Sequence, residues 1–404
     1  MRQGRCTLPP GISGRVCDRL AGLEQVISSG AIRQVLLATG RVNSRACKLT
    51  HEVMLWVILA MGIFTNLPIR QVFKQTRFAR VGEDLPNRSS LCHARQRLGV
   101  APMRRLFLET VHLLATSETP CAFYHGMRLM GIDGVVMNLP DRPANEKTFG
   151  RPSGGDRGMG AFPQLRKVSL VELGTHVETA FIAKTITTSE QTVIPALLNY
   201  MPEDGLLLWD RGFCSYEHMK MLKRKDISIL ARVKNNLTLK PIAHLSDGSY
   251  LAKIYPKPYD REKDRNDIVV RVIRYILDDP ERTGHDEEQV LITNLLGEKL
   301  YPAEELIPLY HERWEHELVY DEQKTHQDSR RATKPTHLRS ETPAGVIQEL
   351  FALSLAHFVV RALMFESAAM IEIDRDRMSF TGCFQILQCR LPECNARSEY
   401  SLQE

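Results

Sequence analysis

The stretch from Met127 to Val233 constrains the fold most, because short β-rich segments alternate there with turn residues and helical segments. Strands are predicted at 127–137, 167–173 and 178–185, then a helix near 191–200, a strand at 206–210, a helix from Tyr216 and a strand at 227–233. This order predicts a mixed α/β sheet. The polar, strand-rich stretch at about 234–300 predicts an insertion into that sheet, followed by helices at about 303–326 and 343–365.

The first 120 residues are basic, with 17 Lys and Arg against 7 Asp and Glu, whereas the remaining 284 contain 36 against 41. An apolar helix capped by Thr50 is followed by a helix (IRQVFKQ), a turn (RVGEDLPN) and a basic helix capped by Ser89 or Ser90 (SLCHARQRLG). This pattern predicts either a helix-turn-helix that contacts DNA through Arg95 and Arg97, or a three-helix bundle with a basic solvent face.

Two aspartates each end an apolar run, Asp133 in RLMGIDG and Asp210 in GLLLWDRGF. Single aspartates at strand ends are common. Together with a glutamate on a later helix, Glu317, they can converge on divalent cations, because such ions prefer carboxylate oxygens. Two ions about 4 Å apart can activate a water or a 3′-hydroxyl and stabilise the leaving oxygen of a phosphodiester.

The later helix carries Tyr310, Arg313, Glu317 and Lys324. On a continuous α-helix these four positions fall within an arc of about 60°. The stripe predicts either an exposed face braced by ion pairs, or a surface on which Arg313 and Lys324 bind phosphates beside Glu317.

The spacing Tyr310-x2-Arg313-x3-Glu317-x6-Lys324 resembles the signature of the insertion-sequence-four family of transposases, which belong to the Asp-Asp-Glu class. The resemblance extends over roughly residues 40–360 and includes the blocks ILAMGIFTNLPIRQVF, GIDGVVMNLPDRPAN, FPQLRKVSLVELGTH, WDRGFCSYE and LRSETPAGVIQEL. It implies a ribonuclease-H-like catalytic core, a fold consistent with the predicted strand order, and a β-rich insertion before the last catalytic helix.

The resemblance also implies roles for individual residues. Asp133, Asp210 and Glu317 would be the first, second and third catalytic carboxylates and would bind two Mg²⁺ ions, for which Mn²⁺ can substitute. The residues that would contact DNA at the transposon end are Tyr310, Arg313 and Lys324. Arg211 follows the second aspartate closely enough to touch a phosphate, or to form a structural ion pair.

The implied activity is cut-and-paste transposition: the protein binds terminal inverted repeats, hydrolyses phosphodiester bonds at the element ends and joins the 3′-hydroxyls to target DNA. The expected partners are double-stranded DNA and a second copy in a synaptic homodimer. The expected domains are an N-terminal helical domain (1–120), a catalytic domain (121–365) and a tail (366–404). The longest apolar run is too short to cross a membrane, so we expect a bacterial cytoplasmic, nucleoid-associated protein without a membrane partner.

Some positions depart from the family pattern or stay ambiguous. Val135 stands where the family commonly has threonine. No tryptophan lies in the insertion, so a tyrosine there (Tyr250, Tyr255 or Tyr259) would have to stack on a flipped base if stacking occurs. Asp141 competes with Asp133 as a ligand but is flanked by prolines, which favours a turn-capping role.

Two other functions are compatible with the sequence. A protein that only occupies DNA ends would regulate transposition without cutting, which the intact carboxylate set argues against. Another ribonuclease-H-like nuclease would share the carboxylates but has no evident need for the Tyr, Arg, Glu and Lys stripe.

Overall fold

The computed structural model of the chain describes residues 23, 26–43, 47–76, 84–153, 158–234, 237–276, 287–327, 336–370, 373 and 377–400. The chain forms two compact units. The helical unit comprises Met1–Leu114, Met137–Leu165 and Tyr320–Glu404, and the sheet unit comprises Ala115–Val136 and Arg166–Val319. The predicted domains divide the chain differently and stay predictions.

The described helices are, in chain order, α1 (Ser29–Ala38), α2 (His51–Ile63), α3 (Ile69–Thr76), α4 (Arg88–Leu98), α5 (Ala101–Thr110), α6 (Pro143–Phe149), α7 (Ile194–Leu197), α8 (Tyr216–Arg224), α9 (Pro258–Glu262), α10 (Ala303–His311), α11 (Trp314–Asp321), α12 (Pro343–Met370) and α13 (Phe380–Tyr400). The strands are β1 (Phe123–Tyr124), β2 (Met127–Asn138), β3 (Gln164–Glu172), β4 (Val177–Thr185), β5 (Gly205–Trp209), β6 (Ser228–Arg232), β7 (Pro241–His244), β8 (Tyr250–Ile254), β9 (Ile268–Ile276) and β10 (Glu288–Thr293). The tail, for which no structure was predicted, contains α13.

Two of the N-terminal helices for which the sequence predicts a cap, α2 and α4, begin at side-chain caps. The Thr50 hydroxyl accepts a hydrogen bond from the Val53 amide at 3.1 Å, which confirms the predicted cap of α2. The cap predicted for α4 at Ser89 or Ser90 is wrong. Asn87 caps this helix instead. Its side-chain oxygen accepts a hydrogen bond from the Ser90 amide, in the first turn of the helix, at 2.7 Å.

The core of the helical unit depends on close contact between α2 and α12. Gly62 lies where an added Cβ would stand 2.1 Å from the Ala352 carbonyl oxygen. The obstacle is backbone, so a side chain at this position would push the two helices apart.

We expect Gly62→Ala to destabilise the fold by about 3 kcal/mol, the upper end for overpacked cores. Gly382→Ala in α13 is the matched control, because its Cβ would meet only the Ser379 side chain at 3.5 Å. The control should leave the free energy of unfolding unchanged or raise it by up to about 1 kcal/mol, because alanine has a higher helix propensity than glycine. Urea denaturation of both variants measures the difference, and equal stabilities would refute the close-contact explanation.

Among the helices that the structure describes, α12 is long and apolar enough to span a membrane by length and composition, with a mean hydropathy of 1.5 over its most apolar window. That window is 89% buried inside the protein. Burial of this extent is the usual condition of a core helix.

The strands form one sheet in the order β4-β3-β2-β5-β6-β10-β9-β8-β7, with β1 beside β2. β2, β5 and β6 run parallel to one another. The first five strands in this order match the ribonuclease-H-like sheet that the sequence predicts. The inserted strands continue the same sheet, since β10 pairs antiparallel with β6 and with β9.

The continuous helix predicted at 303–326 is wrong. The chain leaves the α-helix at Glu312 and Arg313, whose amides bond to carbonyls only three residues back. Beyond α11, Glu322–His326 form a π-helical turn. Pro308 removes one hydrogen bond of α10, and a π turn shifts the register, so the arc calculated for an uninterrupted helix does not hold.

Candidate functional site

Asp133 and Asp210 lie beside each other on neighbouring parallel strands. Ile132 of β2 pairs with Trp209 of β5, and each aspartate is the next residue along its strand direction. Neighbouring strands are about 4.8 Å apart, so the two carboxyl groups start from adjacent backbone positions. The sequence predicted that Asp133 ends its strand. It does not, because β2 continues to Asn138. It follows the last pair recorded between β2 and β5, so the expected proximity to Asp210 is retained.

Arg313 joins Glu317 to Asp133. Its Nη2 donates to Glu317 Oε1 at 3.0 Å, and its Nη1 lies 3.8 Å from Asp133 Oδ2. The Arg313 side chain is only 13% exposed, and burial opposes its charge. Its pKa is nevertheless raised, because Tyr310, Asp210, Glu317 and Asp133 together favour the cation. One guanidinium therefore links two of the three candidate carboxylates.

Tyr310 is buried near the remaining carboxylate. Its hydroxyl lies 3.5 Å from Asp210 Oδ1, a distance at the long limit for a hydrogen bond. Burial raises the pKa of Tyr310, and the Asp210 charge raises it further. Tyr310 is therefore protonated at neutral pH and can donate towards Asp210.

A fourth carboxylate lies next to Asp133. Glu190 packs on the backbone of β2, where a Cβ on Gly134 would stand 2.5 Å from the Glu190 Cδ and Oε1 atoms. It also forms an ion pair with Arg166 at 3.5 Å. Burial raises the pKa of Asp133 to about 6, against the opposing hydrogen bond from the Gly134 amide, and the charges of Glu190 and Glu317 add to the increase.

Two side chains of α11 contact residues in or next to the strands behind the candidate carboxylates. His316 is fully buried, and a Cβ on Gly131 would stand 2.9 Å from its Nδ1. Burial lowers the pKa of His316 to about 3, so the imidazole is neutral. The preceding residue, Glu315, is hydrogen-bonded to His176. The contact of His316 with Gly131 holds the helix that carries Glu317 against the strand that carries Asp133.

The other predicted contacts lie in different surroundings. Arg211 is exposed in the turn after Asp210. Lys324 is half-buried in the π-helical turn of the helical unit. On α4, Arg97 is exposed, whereas Arg95 donates to Gln348 Oε1 at 2.8 Å and to the Gly345 carbonyl at 2.6 Å. Arg95 therefore has a structural role in the helical unit, which the sequence did not predict.

Among the residues with ambiguous predictions, Asp141 is 58% exposed and forms ion-pair contacts with Arg151. Of the three tyrosines considered for base stacking, Tyr250 is buried and Tyr255 donates to Asp264 at 2.6 Å. Tyr259 is 53% exposed, with the Arg265 guanidinium 4.8 Å from its ring centroid. Tyr259 is the one whose ring is most accessible from solvent.

Comparison with known proteins identifies the family of this chain. The transposase DDE domain matches residues 124–359, and the insertion element 4 transposase N-terminal domain matches residues 18–108. The chain belongs to the insertion-sequence-four family of DDE transposases. Both aspartates and the glutamate lie within the matched DDE domain.

Individual relatives agree with this membership. The transposase is 29% identical over 356 residues to "Transposase InsG for insertion sequence element IS4" of Escherichia coli (strain K12), covering 86% of this chain and 77% of that protein. It is 26% identical over 197 residues to "Putative transposase InsZ" of the same organism, covering 48% of this chain and 64% of that protein. The curated relatives therefore include a putative transposase that matches over a shorter stretch.

The fold also has a counterpart among solved structures. A piggyBac transposase in a synaptic complex with hairpin DNA aligns with a TM-score of 0.50 at 11% identity, covering 96% of this chain and 83% of that one. At this identity the likeness concerns the fold alone. It agrees with the ribonuclease-H-like core predicted from the sequence, with a helical region before it.

The carboxylate oxygens of the transposase fit a divalent cation in their chemistry. Asp133, Asp210 and Glu317 offer the hard oxygen donors that Mg²⁺ prefers. Burial raises the pKa of Asp133, and the charges of Glu190 and Glu317 add to that increase. In the part of the chain that the structure describes, no three Asp, Glu, His or Cys side chains stand at metal-binding spacing. The carboxylates must draw closer to share an ion, and Arg313 is the cation that now lies between two of them.

Sequence reasoning missed the supporting residues of this transposase. Glu190 and Arg166 carry no signal in a single sequence, because each lies far along the chain from Asp133. His316 is fully buried and packs α11 against the strand that carries Asp133. Gly131 is a single glycine inside an apolar strand, so it offered no signal either.

Proposed function

We propose that this transposase moves its insertion sequence by a cut-and-paste reaction, with Asp133, Asp210 and Glu317 as the catalytic carboxylates. The observation that supports this most is the placement of Asp133 and Asp210 side by side on parallel strands, with Glu317 linked to Asp133 through Arg313. Family membership supplies the transposase class. The metal ions and the reaction steps are part of this proposal.

Asp133, Asp210 and Glu317 would hold two divalent ions, which when bound supply Lewis-acid activation of the attacking oxygen and stabilisation of the leaving oxygen. In the hydrolytic step, water attacks the phosphorus at the element end and the bond to the 3′-oxygen breaks, which leaves a 3′-hydroxyl and a 5′-phosphate. In the transfer step, that 3′-hydroxyl attacks a target phosphodiester. One phosphodiester forms as another breaks, so no external energy source is needed.

Basic side chains would position the DNA. Arg313 can bind a phosphate with two parallel hydrogen bonds, and Lys324 can contribute a point charge. Arg211 is exposed beside Asp210, and Tyr310 lies between Asp210 and the helix break. Arg97, on the exposed side of α4, is a candidate for contacting the inverted repeat. Pairing two ends requires a homodimer, which we propose forms on DNA in the bacterial nucleoid.

The test uses purified protein and a labelled duplex that carries the end of the insertion sequence, which is identified first by sequencing the DNA on both sides of the gene for inverted repeats. With Mg²⁺ we expect cleavage at the repeat boundary and, after a target plasmid is added, joining of the 3′-end to it. EDTA should stop both steps. Binding without nicking would instead indicate a regulator, and nicking without joining would indicate a nuclease of another kind.

A further inference from the structure

The Arg313 guanidinium lies beside two of the carboxylates that would bind metal ions in the proposed reaction. Arg313 donates to Glu317 at 3.0 Å and lies 3.8 Å from Asp133. Its side chain is 13% exposed, whereas those of Asp133 and Glu317 are 24% and 40% exposed. The cation is thus more deeply enclosed than the carboxylates that it bridges, and water screens these contacts less than it would at the surface.

A divalent ion bound by Asp133 and Glu317 would compete with Arg313 for the negative charge of both carboxylates, and would repel the guanidinium at short range. A DNA phosphate offers Arg313 an alternative anion, because guanidinium binds phosphate and carboxylate through the same paired donors. The two ligands therefore act on Arg313 in opposite ways. Metal competes with it for the carboxylates, and a phosphate can draw it away from them.

We propose that Arg313 couples DNA binding to metal binding: it neutralises Asp133 and Glu317 until a phosphate of the element end takes it over, and the released carboxylates then bind divalent ions tightly. The coupling rests on the proposed function, since it assigns the same carboxylates to metal. It delays assembly of a cutting site until DNA is present. By linkage, metal in turn tightens the hold on the DNA end.

The coupling predicts that loss of Arg313 increases the affinity for Mn²⁺, whereas loss of a merely supporting residue would not increase it. Removing the charge of Arg313 should tighten Mn²⁺ binding in the absence of DNA, because the competing cation is gone. If Arg313 merely held Glu317 in place, its removal would loosen the site and weaken Mn²⁺ binding. The sign of the change therefore separates the two roles.

The test is a titration of the full chain with Mn²⁺ as the probe, in which electron paramagnetic resonance measures the free ion. Arg313→Met removes the charge and keeps an apolar stem, and Arg313→Gln is a second variant that keeps a hydrogen-bond donor. Arg166→Met is the matched control, because Arg166 is a nearby cation that pairs with Glu190 at 3.5 Å. Circular dichroism establishes that each variant is folded.

Without DNA, we expect Mn²⁺ to bind Arg313→Met and Arg313→Gln about fivefold or more tightly than the wild type, with a much smaller change for Arg166→Met. A precut end duplex, which has no bond left to hydrolyse, should increase the Mn²⁺ affinity of the wild type more than that of Arg313→Met. This pair of results supports the coupling.

Unchanged or weaker Mn²⁺ binding by both Arg313 variants overturns the coupling while leaving the proposed function intact. An equal gain in Arg166→Met also overturns it, because the effect would then be one of general charge. If neither the wild type nor the Arg313 variants bind Mn²⁺ with or without DNA, the metal site of the proposed function fails together with the coupling.

Discussion

We expect Glu317→Gln protein to bind its element end as tightly as the wild type and to cut that end at least roughly 10³-fold more slowly, as when a group that acts at the reacting centre is removed. The glutamine oxygen can still accept the hydrogen bond that Arg313 donates to Glu317 Oε1. The fold should therefore survive, and the loss should fall on metal binding and catalysis. Gel shift and single-turnover cleavage in Mg²⁺ measure the two properties separately.

Glu315→Gln is the matched control for this variant. Glu315 lies two residues earlier on the same helix and pairs with His176 instead of with the other candidate carboxylates. Its side chain is 34% exposed, so its loss should change cleavage by no more than about fivefold. Wild-type cleavage by Glu317→Gln, or an equal loss in Glu315→Gln, would contradict the assignment of Glu317.

Asp133→Asn should abolish cleavage and at the same time stabilise the protein in EDTA. The wild-type carboxyl has a pKa of about 6 against an ordinary value of 3.8, first because of burial and then because of Glu190 and Glu317. A raised pKa means that the folded state binds a proton more tightly than the unfolded state. Ionised Asp133 therefore weakens the fold, and asparagine removes that penalty.

The increase in stability expected for Asp133→Asn has a defined pH dependence. Below pH 3.8 the carboxyl is protonated in both states, so Asp133→Asn brings no gain, and the gain grows as the pH rises to about 6. Above pH 6 to 7 it is complete and amounts to at most about 3 kcal/mol, at about 1.36 kcal/mol for each pKa unit. Urea unfolding in EDTA at pH 7.5 and pH 4.5 measures this change.

Asp260→Asn is the control of opposite sign. The pKa of Asp260 is lowered, first by the hydrogen bond from Asn266 and then by Arg265, so its ionised form stabilises the fold. This stability is present above the ordinary pKa of 3.8 and is lost as the pH falls through the lowered value. Asp260→Asn should therefore destabilise the protein at pH 7.5. Loss of stability in Asp133→Asn at that pH would show that the Asp133 charge does not strain the fold.

The proximity of Asp133 and Asp210 could be predicted because it depends on local patterns. Each aspartate follows an apolar run of strand length, and neighbouring parallel strands bring such positions together. The same reasoning located the strands of the core within a few residues. These features are determined by hydrophobic periodicity and by chain order, which a sequence displays directly.

The interrupted helix and the supporting residues could not be predicted, because they depend on tertiary contacts. The break at Glu312 and Arg313 lies in a stretch with helical composition, and Tyr310 and His316 are buried on either side of it. Arg95 has the sequence context of a DNA contact, yet its partners Gln348 and Gly345 lie about 250 residues along the chain. Only the folded structure brings such groups together.

The central claim is that Asp133, Asp210 and Glu317 share divalent ions at the DNA end. Crystals of the transposase with its element end, soaked in Mn²⁺, test it most directly through the anomalous signal of the metal. We predict Mn²⁺ at about 2.1 Å from oxygens of all three side chains, with Arg313 turned from Glu317 to a phosphate. Mn²⁺ bound elsewhere, or a Glu317 that still holds Arg313 and touches no metal, would contradict the claim.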